Sequence, residues 1–289
     1  MKNKNSILAI AISMAFSTSA LAAADVSTEL GIGFGVVKNG DGGMGLDSYG
    51  GISSAENRLN GDLDLATVLS YPGYDLQFGL AASTFEDASQ KADQDDATGH
   101  FEEISAHYLR KVGNYRIGGF VGWGSHDDNG DSDDSMGYRF LGIEADRPIT
   151  NGNVFGQIGY LDSYDEYNEG TQDAPFVRVG ANYSASAMWR FSGSIAYAGG
   201  VKLGANYDNS TWAIELGAER KFNDMITGFV SYELDRIGFE NDESEKLGDV
   251  FHTVMVGIKM SFGDKAKFTK PISLPSFGRW VAFNANEIE

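Results

Sequence analysis

Apolar residues recur at every second position over most of the chain. In 26–36, Val26, Leu30, Ile32, Phe34 and Val36 alternate with Glu29, Gly31, Gly33 and Gly35. Leu59, Leu63, Leu65 and Leu69 alternate with Arg58, Asn60, Asp62 and Asp64. The pattern repeats at Tyr74–Leu76–Phe78–Leu80, Tyr115–Ile117–Val121–Trp123 and Val177–Val179–Ala181–Tyr183. It returns at Trp212–Ile214–Leu216–Ala218 and Val254–Val256–Ile258–Met260–Phe262. A period of two with one apolar and one polar or small face predicts β-strands.

The connections alternate in length. Short turns are predicted at 71–73, 111–114, 147–152, 185–187 and 222–224, and longer polar loops at 38–55, 86–98, 126–135, 162–174, 199–210 and 239–249. These eleven connections imply twelve strands, with both termini beside the short turns. Short turns at one rim and long loops at the other describe a closed antiparallel transmembrane β-barrel. Aromatic residues mark two levels along the strands. Tyr74, Tyr108, Tyr115, Tyr183, Trp189 and Phe262 fall near the short turns, and Phe101, Trp123, Tyr160, Tyr197, Trp212 and Tyr232 near the long loops. Two girdles around an aliphatic band predict that the apolar face meets lipid.

The first 22 residues read differently. Lys2 and Lys4 precede the apolar run 7–16, and Ala20-Leu21-Ala22 is a small-x-small cleavage site. That is the pattern of a secretory signal peptide, with the mature chain starting near Ala23. Loss of Lys2 and Lys4 takes the formal charge from −19 to −21. Such an acidic chain lacks the basic face that phosphate contacts need, so nucleic acid is excluded as a partner. With no cysteine, disulfides, thiolate metal sites and cysteine nucleophiles are excluded as well.

The last alternating segment, Met255-Val256-Gly257-Ile258-Lys259-Met260-Ser261-Phe262, resembles the terminal assembly signal of Gram-negative outer-membrane β-barrels of porin-like type. Gly257, Met260 and Phe262 carry the likeness. The resemblance implies an outer-membrane location, lipid and lipopolysaccharide as surroundings, and the barrel assembly machinery as a partner during biogenesis. The chain departs from that pattern in continuing past Phe262. The organisation expected is a signal peptide at 1–22, a barrel at 23–262 and a periplasmic tail at 263–289, the tail carrying Trp280 and Phe283.

The polar face supplies the candidate pore lining. Its acids are Glu29, Asp62, Asp64, Asp75, Glu103, Glu144, Glu215, Glu219 and Glu233. Its bases are Arg58, Arg116, Arg178, Arg190, Lys221 and Lys259, and His107 joins them. An excess of carboxylates along a lumen selects weakly for cations. The other reading of the same residues is an ion-paired filling. Four long loops hold 20 of the 41 acids, enough to enrich cations at that rim. Within them Asp127, Asp128, Asp131, Asp133 and Asp134 offer the hard oxygens that loosely held Ca²⁺ or Mg²⁺ takes. The run lacks EF-hand spacing and its closing Glu, and a solvated acidic loop explains any single one of these acids.

No arrangement points to catalysis. Ser125-His126 has no evident orienting partner, and His107 beside Glu103 fits a polar pair in the lumen. The sequence therefore predicts a non-enzymatic, cofactor-free outer-membrane channel for passive diffusion of small solutes or ions. The alternative is a closed structural or surface-interaction barrel whose acidic loops bind divalent cations, lipopolysaccharide or a partner.

Overall fold

The computed structural model describes residues 24–40, 57–87, 98–127, 136–163, 174–203, 207–241, 246–263, 274–275 and 277. They form twelve strands: β1 (Asp25–Gly40), β2 (Asn57–Ser70), β3 (Tyr74–Asp87), β4 (Thr98–Val112), β5 (Tyr115–Asp127), β6 (Met136–Ile149), β7 (Gly152–Ser163), β8 (Ala174–Ser184), β9 (Trp189–Leu203), β10 (Tyr207–Lys221), β11 (Ile226–Asn241) and β12 (Lys246–Gly263). Each strand pairs antiparallel with its chain neighbours. β1 closes on β12 from Ser27↔Gly263 to Gly40↔Val250, so the barrel has no edge strand. Both ends of the barrel segment, Asp25 and Gly263, sit at the short-turn rim, as the even strand number requires.

The faces are inverted relative to a water-soluble barrel. Leu141, Ile143, Ile158, Val179, Leu216, Val256 and Ile258 point outward and are each more than half exposed. Their neighbours Glu144, Asp146, Gln157, Arg178 and Glu219 point inward and are buried. A soluble fold does not leave a continuous aliphatic belt in water while burying its charges. A bilayer reverses the preference, because the outer face then meets hydrocarbon and the lumen keeps the polar groups. The girdle aromatics Tyr74, Tyr108, Tyr115, Tyr183, Trp189 and Phe262 lie outside at the short-turn level, with Tyr74 and Tyr108 5.6 Å apart. Trp123, Tyr160, Tyr197, Trp212 and Tyr232 mark the other level. There Tyr197 packs on Trp212 at 4.6 Å and the Tyr232 hydroxyl lies 2.7 Å from His252 Nδ1.

Three expectations change. Phe101 is not in the girdle; it is buried in the lumen, because it shares the parity of Glu103 two residues on. The loops expected at 199–210 and 239–249 are much shorter, since β9 runs to Leu203, β10 begins at Tyr207, and β11 and β12 continue to Asn241 and from Lys246. A bulge at Asn209/Ser210, where Gly200 is passed over, lets that pairing continue. The tail 263–289 is mostly outside the described residues, Trp280 and Phe283 included, as is the segment 1–22. Its described residues Leu274, Pro275 and Phe277 are not in the periplasm: they lie inside the barrel.

Ile143, 65 % exposed near the middle of β6, tests which face meets lipid. Ile143→Arg is expected to destabilise the folded barrel by about 2–4 kcal/mol, read from urea unfolding in liposomes. A cost within the ordinary surface range of ~0.5 kcal/mol contradicts the membrane placement.

Candidate functional site: the lumen

Strand parity brings the predicted polar residues into one lumen. Glu29, Asp62, Asp64, Asp75, Glu103, His107, Arg116, Glu144, Arg178, Arg190, Glu215, Glu219, Glu233 and Lys259 all face inward. Lys221 also faces inward, at the periplasmic mouth, and pairs there with Asp224 at 3.0 Å. The backbone of Arg58 pairs with Asp87 in the β2–β3 register, and its side chain lies outside the described ones. The acidic run 127–134 lies outside them too, apart from the backbone of Asp127 at the end of β5. Of the assembly-signal residues, Phe262 and Met260 point outward, and Gly257 points inward beneath the Phe229 ring.

The charges are arranged in levels. Nearest the periplasm, Arg116 Nε donates to Asp146 at 2.7 Å and Nη1 donates to Asp75 at 3.1 Å; Nη2 also contacts Asp146. Lys111 reaches Asp75 at 2.8 Å, and Asn153 and Asn182 extend the network across β7 and β8. One guanidinium thus ties two buried carboxylates from β3 and β6 through β5 between them. On the opposite wall Lys259 bridges Glu219 at 3.0 Å and Glu29 at 3.3 Å, with Arg190 on Glu219 at 3.3 Å. Lys259 also lies 5.4 Å from the Phe229 ring centre, a cation–π contact.

At mid-depth Arg178 donates to Glu215 at 2.5 Å and to Ser194 at 3.1 Å. His107 does not pair with Glu103, as its position on the strand suggested. Its Nδ1 meets Glu144 Oε1 at 2.7 Å, and Gln157 donates to the other oxygen of Glu144 at 3.0 Å. Glu103 instead accepts from the Tyr138 hydroxyl at 3.0 Å. Adjacency along a strand brought His107 and Glu103 to one face, but pairing across strands and lumen decides the partners.

The extracellular half holds what sequence reasoning missed. Phe120, Tyr138, Phe140, Leu161 and Phe176 point into the lumen and form an apolar cluster with small residues of β8–β10. Phe277 from the tail fills its centre and is fully buried. Its ring lies 4.7 Å from Phe140 and 4.8 Å from Phe176, the latter edge to face. Burying one Phe contributes about 1.5–3 kcal/mol, and each good ring pair adds about 0.5–1.5 kcal/mol. The lumen glycines make the room. A Cβ on Gly122 would strike the Phe140 ring, one on Gly124 the Tyr138 ring, one on Gly142 the Phe120 ring and one on Gly159 the Phe176 ring. The parity of Phe120 with Arg116, of Phe140 with Glu144 and of Phe176 with Arg178 was the available signal. Nothing in the alternation signalled that the tail returns to meet them.

Beside this cluster a cavity of about 300 Å³ remains open. Seven carboxylates line it (Glu29, Asp62, Asp64, Glu103, Glu215, Glu219 and Glu233), with Lys259 the one ammonium on its wall among the described residues. Leu274, Pro275 and Phe277 form part of the same wall. A second cavity of about 190 Å³ opens at the periplasmic mouth, and Glu29 and Glu219 line both. The Lys259 ion cluster therefore stands where the two meet.

No protein-family model and no curated protein matches the chain. Among solved structures it is similar to the COG4313 outer membrane channel from Pseudomonas putida F1. That match has 11% identity over 83% of this chain and 96% of that one, with a TM-score of 0.56. Weaker likenesses are a mutant of the TodX monoaromatic hydrocarbon channel (10% identity, 84% and 91% covered, TM-score 0.45) and the translocator domain of the autotransporter NalP from Neisseria meningitidis (12%, 89% and 98%, 0.43). At such identities the likeness is one of fold. With the exposed aliphatic belt and the polar lumen it defines the class: a closed twelve-stranded transmembrane β-barrel, the fold of the COG4313 outer membrane channel.

The Arg116 knot should carry much of the periplasmic half. Arg116→Met takes the guanidinium from the buried Asp146 and leaves Asp75 with Lys111 alone, and is expected to cost about 3–5 kcal/mol in urea unfolding. Adding Asp75→Asn and Asp146→Asn should recover most of that loss. A cost below ~1 kcal/mol for the single change would show that the pairs are solvated and not structural.

Proposed function

We propose that the protein is an outer-membrane channel through which small solutes or ions diffuse passively, with a preference for cations. The observation that carries this reading is the unfilled, carboxylate-lined cavity of about 300 Å³ beside the aromatic cluster. A fully packed barrel has no such space. The path runs down the wall made by β1–β4 and β10–β12, past Lys259, and out through the periplasmic cavity.

Cation preference follows from the charge on that wall. Lys259, Arg178 and Arg190 counter Glu29, Glu215 and Glu219, and among the described residues the lining carboxylates outnumber the lining cations. A negative field in a narrow, low-dielectric passage raises the local concentration of cations and lowers that of anions. Lys259 stands on that path, held in place by Glu29, Glu219 and the Phe229 ring. Transport of this kind uses no cofactor and no covalent step.

The competing reading is a closed interaction barrel. The buried Phe277 and the ion-paired periplasmic half favour it, since both narrow the lumen.

Planar-bilayer recordings of the refolded mature chain under a KCl gradient decide between them. Stepwise currents with a K⁺-biased reversal potential are expected. Asp62→Asn with Asp64→Asn should move the reversal toward zero, and Lys259→Gln should increase the bias. Folded, heat-modifiable protein that passes no current would overturn the channel reading.

A further inference from the structure

We propose that the lumen contains a binding site for a single apolar aromatic ring, that Phe277 of the chain's own tail is its resident occupant, and that a free one-ring aromatic solute competes with Phe277 for it. The inference deepens the channel reading and rests on it only where conductance is concerned.

The site is built for a ring. Phe140 and Phe176 approach Phe277 at 4.7 and 4.8 Å with interplanar angles of 35° and 67°, so one partner lies tilted over its face and the other meets it edge to face. Phe120 packs at 6.0 Å from Phe176 and 6.4 Å from Phe140, completing the enclosure. Such tilted and edge-on geometries are the favoured ones for aromatic quadrupoles. The glycines under these rings fix their positions. Gly122, Gly142 and Gly159 each lack the space for a Cβ, so the rings pack directly on bare backbone. The result is an apolar slot inside an otherwise charged lumen, which in a barrel of this class is the exception that needs an occupant.

The occupant is tethered, not integral to the sheet. Gly263 ends β12 at the periplasmic rim, whereas Phe140 stands nine residues up β6 from Ile149, about 30 Å along the strand. The fourteen residue steps from Gly263 to Phe277 can span up to about 46–50 Å, so the tail reaches the slot from the rim with length to spare. A tethered group competes at an effective concentration on the order of millimolar, a level a free solute can match. Phe277 also forms part of the wall of the carboxylate-lined cavity, so a solute in that cavity is already beside the slot. Ring exchange there removes the tail from the path and widens it.

The test uses bromobenzene, whose bromine gives an anomalous X-ray signal, soaked into crystals of the full chain. In Phe277→Ala a bromine peak is expected between the rings of Phe140 and Phe176, and in the unaltered protein a weaker one, because Phe277 competes. Phe277→Leu, apolar but ringless, should give intermediate occupancy and covers the case in which the alanine variant folds poorly. The same variants in planar bilayers should show larger unit conductance than the unaltered chain. Bromine found only along the lipid-facing belt, or equal occupancy in all three proteins, overturns the proposal whatever the conductance. A peak in the slot with no current from any variant upholds the ring site and sinks the channel reading instead.

Discussion

The structure depends on one closure, the pairing of β1 with β12. In hydrocarbon an unpaired backbone N–H or C=O has no water to turn to, so an open sheet edge is not tolerated. Joining the first strand to the last removes the edge, so that each strand has a ladder on both sides. Once the wall is closed, period-two alternation has only two destinations. Leu141, Ile143 and Ile158 go to lipid, and Glu144, Asp146 and Gln157 go to the lumen. A polar side chain at the wrong parity would face the bilayer, and an apolar one would displace water or charge inside.

The lumen is then a problem of its own, and the protein solves it differently at its two ends. The periplasmic half is tied by charge: Arg116 between Asp75 and Asp146, and Lys259 between Glu29 and Glu219. Buried charges are tolerable there because each has partners at hydrogen-bond distance. The extracellular half is tied by rings on bare glycine backbone, and the tail's Phe277 fills the centre. Between these regions the carboxylate-lined cavity stays open. Function, in the reading advanced above, belongs to that space and to whatever enters or leaves the aromatic slot beside it.

The strand count, the closed barrel and the inward direction of the charged residues were all legible in the sequence, because strand parity is a local property. Partner choice was not. Spacing along β4 puts His107 beside Glu103, but Glu144 on β6 meets it over the intervening β5. Its level along the strand groups Phe101 with the girdle, but its parity with Glu103 puts it inside. The lengths of the connections after β9 and β11 depended on how far the ladder persists, which polar composition does not reveal. The return of Phe277 was least legible of all, since its partners Phe140 and Phe176 lie more than 100 residues away along the chain.

The central claim is that parity decides what meets lipid and what meets the lumen. The chain has no cysteine, so single cysteines can be placed one at a time along β6 and labelled with an environment-sensitive fluorophore in bilayers. Quenching by brominated lipid should be strong at Arg139, Leu141, Ile143 and Ala145 and weak at Tyr138, Phe140, Gly142 and Glu144. Quenching without alternation, or with the opposite phase, would contradict the account.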